Sequence, residues 1–268
     1  YRDPETEDTC LWYHQIWQYL RLLGVISSIR TNTDFLIASF RACARTGNCR
    51  RVLVSATADY SMLAHVKSAY DEEQSALDAT VIDRCETSLV LNRWYADRCG
   101  IVLATSRADV LEFTTANPFD MVCTHNFLGR FDRESRGRLV ARWHELLRPG
   151  GVVVTTQRVR PGVATAPSTY TDEQVQRLIE RVVTAVHARS EPLGVDTDAL
   201  VHAVYEYAIR RSAHAIQTTR EITDLFEAEG FDVESSDQGD GAVERERDRP
   251  LSLAGKDTYR MRLVARKR

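Results

Sequence analysis

Three aspartates and one histidine stand where a chain of alternating strands and helices would carry its chemistry. Asp59 lies in the run Ser55-Ala56-Thr57-Ala58-Asp59-Tyr60, which follows the apolar Val52-Leu53-Val54. Asp83 closes Ala79-Thr80-Val81-Ile82-Asp83 and leads into Arg84-Cys85. Asp109 sits in Arg107-Ala108-Asp109-Val110, and His125 in Thr124-His125-Asn126-Phe127. An acid at a strand's end can accept both hydroxyls of a ribose, as nucleotide-binding folds do. A loop of small residues lets backbone N–H groups approach a ligand closely. An imidazole with an ordinary pKa of about 6.5 can take a proton from a nucleophile at neutral pH. Each residue also has a plainer role. Asp59 and Asp83 can cap the helices that follow, Asp109 can hold a turn, and His125 can simply border a pocket.

The elements that would position these groups are legible in the apolar pattern. Strands are expected at Arg51–Ser55, Ala79–Asp83, Ile101–Ala104, Phe119–Thr124, Gly151–Thr156, Phe231–Glu234 and Thr258–Ala265. Helices are expected between them at Ser61–Tyr70, Ser88–Asp97, Asp132–Leu147 and Thr219–Gly230, the third closed by Arg148-Pro149-Gly150-Gly151. Two N-terminal helices precede them: one carries Leu11, Ile16 and Leu20, and the other spans Thr33–Ala44. Two more, Asp172–His187 and Thr197–Gln217, interrupt the alternation. Residues 238–250 read as an exposed, charged loop. Strands alternating with helices imply a parallel sheet with crossover helices, whose ligands bind beyond the carboxyl ends of the strands.

In these features the chain resembles the class I S-adenosyl-L-methionine (SAM)-dependent methyltransferases. The resemblance covers about Arg51 to Ser236 plus the last strand. Its most specific part is Pro118-Phe119-Asp120-Met121-Val122 followed by a helix and Leu147-Arg148-Pro149-Gly150-Gly151-Val152. It implies a Rossmann-like α/β fold. A mostly parallel seven-stranded sheet would have helices on both faces, a helical cap at residues 1–50, a core over 51–268 and a helical lid at 158–217. It also implies SAM as cofactor, held by Ser55, Ala56, Thr57, Asp59, Asp83, Arg84, Cys85, Asp109, Val110 and Thr124. Asp83 would take the ribose, Asp109 the adenine amino group, and Asp59 the ammonium of the amino-acid tail. The substrate would meet Tyr13, His14, Trp17, His125, Asn126, His202 and Tyr205, with His125 as the base. The family's loop after the first strand is usually rich in glycine. Here Ala56, Ala58 and Tyr60 take those places and Val54 replaces the usual acid, so this loop is expected to follow another path, because alanine adopts a positive φ only at a cost.

Composition narrows the acceptor. The net charge of -3, from 35 basic and 38 acidic residues, offers no basic face for nucleic acid or an anionic membrane. No apolar run reaches the length of a membrane span, and the polar, acidic Tyr1–Thr9 does not read as a signal peptide. The six cysteines, at 10, 43, 49, 85, 99 and 123, lack zinc spacing and read as small buried hydrophobes in a reducing, cytoplasmic setting, with no metal implied. The expected function is methyl transfer to an O, N, S or C atom of a small biosynthetic molecule, with room for a homodimer. The alternatives are a non-methylating reaction such as cyclisation on the same fold, or a non-catalytic relative.

Overall fold

The computed structural model describes residues 9–26, 29–239 and 258–268. In chain order the elements are α1 (Leu11–Leu22), α2 (Thr33–Arg45), β1 (Arg51–Ser55), α3 (Ser61–Glu72), β2 (Asp78–Asp83), α4 (Glu86–Cys99), β3 (Leu103–Arg107) and β4 (Phe119–His125). Then follow α5 (Arg133–Leu146), β5 (Leu147–Val159), α6 (Asp172–His187), α7 (Thr197–Arg210), α8 (Thr219–Ala228), β6 (Phe231–Gly239) and β7 (Tyr259–Lys267). The strands form one sheet in the order β3-β2-β1-β4-β5-β7-β6, with β7 antiparallel to both neighbours and the rest parallel.

The central strands are apolar throughout because both faces are covered. Leu53, Val122 and Val153 point to one side and pack with Trp143 of α5 and Phe226 of α8. Val52, Val54, Met121 and Cys123 point to the other and pack with Leu36 and Phe40 of α2 and Val66 of α3. Adjacent residues of each strand thus serve opposite cores.

Several expected boundaries move, each for a local reason. β3 begins at Leu103 rather than Ile101, because Gly100 turns left-handed at φ 62 and the Ile101 N–H bonds back to the Ala96 carbonyl. β5 begins at Leu147, ahead of the expected turn, and a register shift against β4 absorbs Pro149-Gly150-Gly151. Gly151 is needed there, since a Cβ would lie 3.0 Å from the Arg148 carbonyl oxygen. The largest change is in α7, which stops at Arg210 instead of Gln217. Arg211 turns extended at ψ 117, and Ala213 then bridges to Ser168 in a short antiparallel contact. Thr218 caps α8 as a separate helix by accepting from the Glu221 N–H. The loop expected over 238–250 falls mostly outside the described residues.

The first fifty residues divide between two layers. α2 belongs to the sheet's core, whereas α1 joins α6 and α7 in a separate apolar cluster of Ile16, Leu20, Leu178, Val182, Val204 and Tyr207. Of the cysteines, Cys49, Cys85 and Cys123 are buried, but Cys99 at the end of α4 is exposed.

Candidate active site

β1 lies between β2 and β4, so the chain's crossovers diverge there and leave a crevice beyond the carboxyl ends of these strands. A cavity of about 530 Å³ opens at that point, floored by the strand ends and walled by α1 and the C-terminal end of α7. Its volume falls within the usual range of small-molecule sites.

One half is built by the loops after β1, β2 and β3. Ala56 follows β1 with φ 60, a left-handed conformation that costs alanine about 1–2 kcal/mol. The loop therefore keeps the turn that the sequence was expected to avoid. The strained turn has a visible result: the next N–H, that of Thr57, donates to Asp83 Oδ2 at 3.0 Å. The Cys85 N–H donates to Asp83 Oδ1 at 2.7 Å. Burial nevertheless outweighs these donors and pushes the Asp83 carboxyl up to about 6. Beside it, the Ala108 N–H bonds to the Asp83 carbonyl and brings Asp109 to the cavity wall. Asp109 Oδ1 accepts from the Leu111 N–H at 2.9 Å, and its other oxygen lies 3.7 Å from Arg84. Asp59, almost fully buried, pairs with Arg21 of α1 and accepts from the Ser61 N–H at 2.7 Å.

The other half is aromatic and basic. Tyr13 and Trp17 of α1 stack with ring centroids 5.1 Å apart, and Tyr13 meets His14 edge-on. His125 ends β4, and Asn126 follows it with φ 56, a conformation asparagine tolerates. Burial, together with Arg260, Arg158 and His65, holds the His125 imidazole well below its ordinary pKa. It is neutral at pH 7 but a weak base. Phe127, Arg130, Phe131, Arg158, Tyr170, Tyr207 and Arg211 complete this half.

The structure thus brings Ala56, Thr57, Asp59, Asp83, Arg84, Cys85, Asp109, Val110, Tyr13, His14, Trp17, His125 and Asn126 to one cavity. Four expected residues are elsewhere. Ser55 and Thr124 are fully buried in their strands, and Ser55 Oγ accepts from the Trp143 indole N–H at 3.0 Å, on the core side. His202 and Tyr205 are exposed, because α7 buries the stripe Leu200, Val204, Tyr207 and Ala208 and turns their face outward. The sequence reading missed Arg21, Arg130, Tyr170, Tyr207 and Arg211. A signal for Arg211 was present, since it continues the buried stripe 200, 204, 207 one turn on. Cys10, His14 and Cys85 also place ligand atoms within 4.8 Å of one another, one short of the four protein donors of a structural zinc site.

No family model and no curated protein matches the sequence. Solved structures do share its architecture. The cyclase SpnF aligns with a TM-score of 0.58 at 13% identity, covering 95% of this chain and 93% of that one. A S-adenosylmethionine-dependent methyltransferase from Clostridium acetobutylicum aligns at 0.57 and 10% identity, covering 95% and 98%. The 1,6-didemethyltoxoflavin-N1-methyltransferase of Burkholderia thailandensis aligns at 0.55 and 16% identity, covering 96% and 88%. The fold is that of the SAM-dependent methyltransferases. At these identities the likeness is one of fold.

Proposed function

We propose that the protein transfers a methyl group from SAM to a small molecule. The observation that carries this reading is the Asp83 carboxylate: it ends β2 in the lining of the cavity, at the switch point of this fold, fixed by two backbone N–H groups. A carboxylate so placed is suited to a ribose diol. The fit extends along the wall, where Arg84 and Cys85 flank it and Asp109 stands beside it for the adenine. The amino-acid tail would meet the Arg21–Asp59 pair, in which the guanidinium suits the tail's carboxylate and the aspartate its ammonium. Bound SAM supplies a methyl already activated on a sulfonium. The protein's own task is then to orient the acceptor and exclude water. His125, neutral and weakly basic, fits a positioning contact better than strong general-base catalysis. α1 and the end of α7, with α6 packed in the same apolar cluster, act as the lid. One neighbour in fold, SpnF, is named a cyclase, and the strained, glycine-free loop after β1 is a departure from the usual cofactor loop, so cyclisation is the competing reading.

Calorimetric titration with SAM and S-adenosylhomocysteine tests the proposal, beside an Asp83→Ala variant. Micromolar binding lost in the variant supports it, and labelled methyl appearing in product separates transfer from cyclisation. Absence of binding by the intact protein would sink it.

A further inference from the structure

The charges of the cavity are unevenly divided. Its acids all lie on one side, Asp59 and Asp109 in the loops after β1 and β3 and Asp83 at the end of β2, where Arg21 pairs with Asp59 and Arg84 with Asp109. The acceptor half holds Arg130, Arg158 and Arg211, and among the described residues neither Arg130 nor Arg211 makes an ion pair. Arg211 donates to the Tyr170 hydroxyl at 3.1 Å, and its buried Nε has no partner. Arg130 donates only a long bond, 3.4 Å, to the Ser212 carbonyl. The two guanidiniums lie over aromatic rings, Arg130 over Tyr13 at 5.7 Å and Arg211 over Tyr207 at 5.6 Å. Partial burial at the guanidinium and the nearby Arg211 lower the pKa of Arg130, although the residue as a whole is exposed. Tyr207 adds a third donor, since its ring is fully buried and its hydroxyl makes no hydrogen bond.

We propose that this half of the cavity receives a small, flat acceptor bearing a carboxylate, gripped by Arg130, Arg211 and the Tyr207 hydroxyl. The reasoning is electrostatic first. Arg211 is half-buried and unneutralised beside the guanidinium of the exposed Arg130, and an anion that joins the two relieves both the lost hydration of Arg211 and the like-charge contact. Their planar forks match a carboxylate's two oxygens. The walls supply the rest of the description, since the aromatic rings that line this half, Tyr13, Trp17 and Tyr207 among them, suit an unsaturated body. The proposal rests on the methyl-transfer reading only for the role of this ligand as acceptor; the anion subsite itself stands on the arginines.

The test is calorimetry on the full chain with and without saturating S-adenosylhomocysteine, using benzoate, benzamide and phenyl phosphate as probes. Benzoate should bind at least about tenfold more tightly than benzamide, the discrimination expected of a charge-assisted pair. Arg130→Gln and Arg211→Gln should each erase most of that preference while binding S-adenosylhomocysteine as the parent does, which also shows that they fold. Arg211→Lys should restore part of it, keeping the charge without the fork. Equal affinity for benzoate and benzamide, no binding of either at millimolar concentration, or a preference that survives both Gln variants overturns the subsite. Phenyl phosphate binding more than tenfold tighter than benzoate overturns the carboxylate assignment. If S-adenosylhomocysteine does not bind while benzoate still discriminates, the cofactor reading falls and the anion subsite remains.

Discussion

Asp83 shows how a single residue's cost and use are joined. Its carboxyl is raised from an ordinary 3.8 to about 6 by burial, so in the free protein it favours folding at low pH and loses that contribution as pH rises through 6. Donors from a ribose would reverse the balance, because they favour the ionised form. S-adenosylhomocysteine affinity should therefore fall as pH drops below about 6, approaching tenfold per unit, and calorimetry at pH 5.0, 6.0 and 7.5 reads it. Asp83→Asn should bind weakly with a flat profile; a steep profile in that variant would assign the titration to another group. Ala56 has the opposite character, a cost with a geometric purpose. Ala56→Gly should relieve the positive φ and raise stability by about 1 kcal/mol in urea denaturation, with the Thr57–Asp83 contact kept. Asp83 was legible in the sequence because an acid ending an apolar strand has few reasons to be there. Ser55 and Thr124 were misjudged because the sequence near a strand's end does not reveal which side chains the cavity reaches, and here both are fully buried.

At the scale of elements, α7 separates what periodicity reveals from what it conceals. The spacing of Leu200, Val204 and Tyr207 marks the buried face, and His202 and Tyr205 then have to lie on the other. Chemical type drew attention to those two, while the stripe pointed to Tyr207. The end of the helix was hidden for a different reason. Nothing local stops a helix at Arg210; the Ala213–Ser168 bridge and the Arg160 N–H donating to the Ile216 carbonyl are tertiary contacts that draw the chain out of it. That exit is what swings Arg211 into the cavity. The double variant His202→Ala/Tyr205→Ala should leave stability within about 0.5 kcal/mol and turnover unchanged. Tyr207→Ala, which empties a fully buried ring site, should cost about 3 kcal/mol in the same denaturation assay. Equal effects from the two would contradict the orientation of α7.

For the molecule as a whole, the question is how the α1–α6–α7 layer is held over the sheet. The mostly parallel seven-stranded sheet and the helices around it were legible because each strand is a short apolar run between helical stretches. The association of α1 with α6 and α7, far along the chain, has no local signal. This layer has its own apolar cluster, and one strong tie to the loop after β1 is the pair between Arg21 of α1 and the nearly buried Asp59. Removing one member of such a pair leaves the other charge desolvated and typically costs about 3–5 kcal/mol, whereas removing both costs much less. Arg21→Met alone and Asp59→Leu alone should therefore each destabilise the fold strongly, and the double variant should recover most of the loss. A double-mutant cycle by urea denaturation measures this coupling. If the layer moves as a lid on that tie, the double variant should also exchange amide hydrogens faster along α1 and α7 than the parent, with the sheet unchanged. Additive single effects, with no faster exchange in α1, would mean that the apolar cluster alone holds the layer in place.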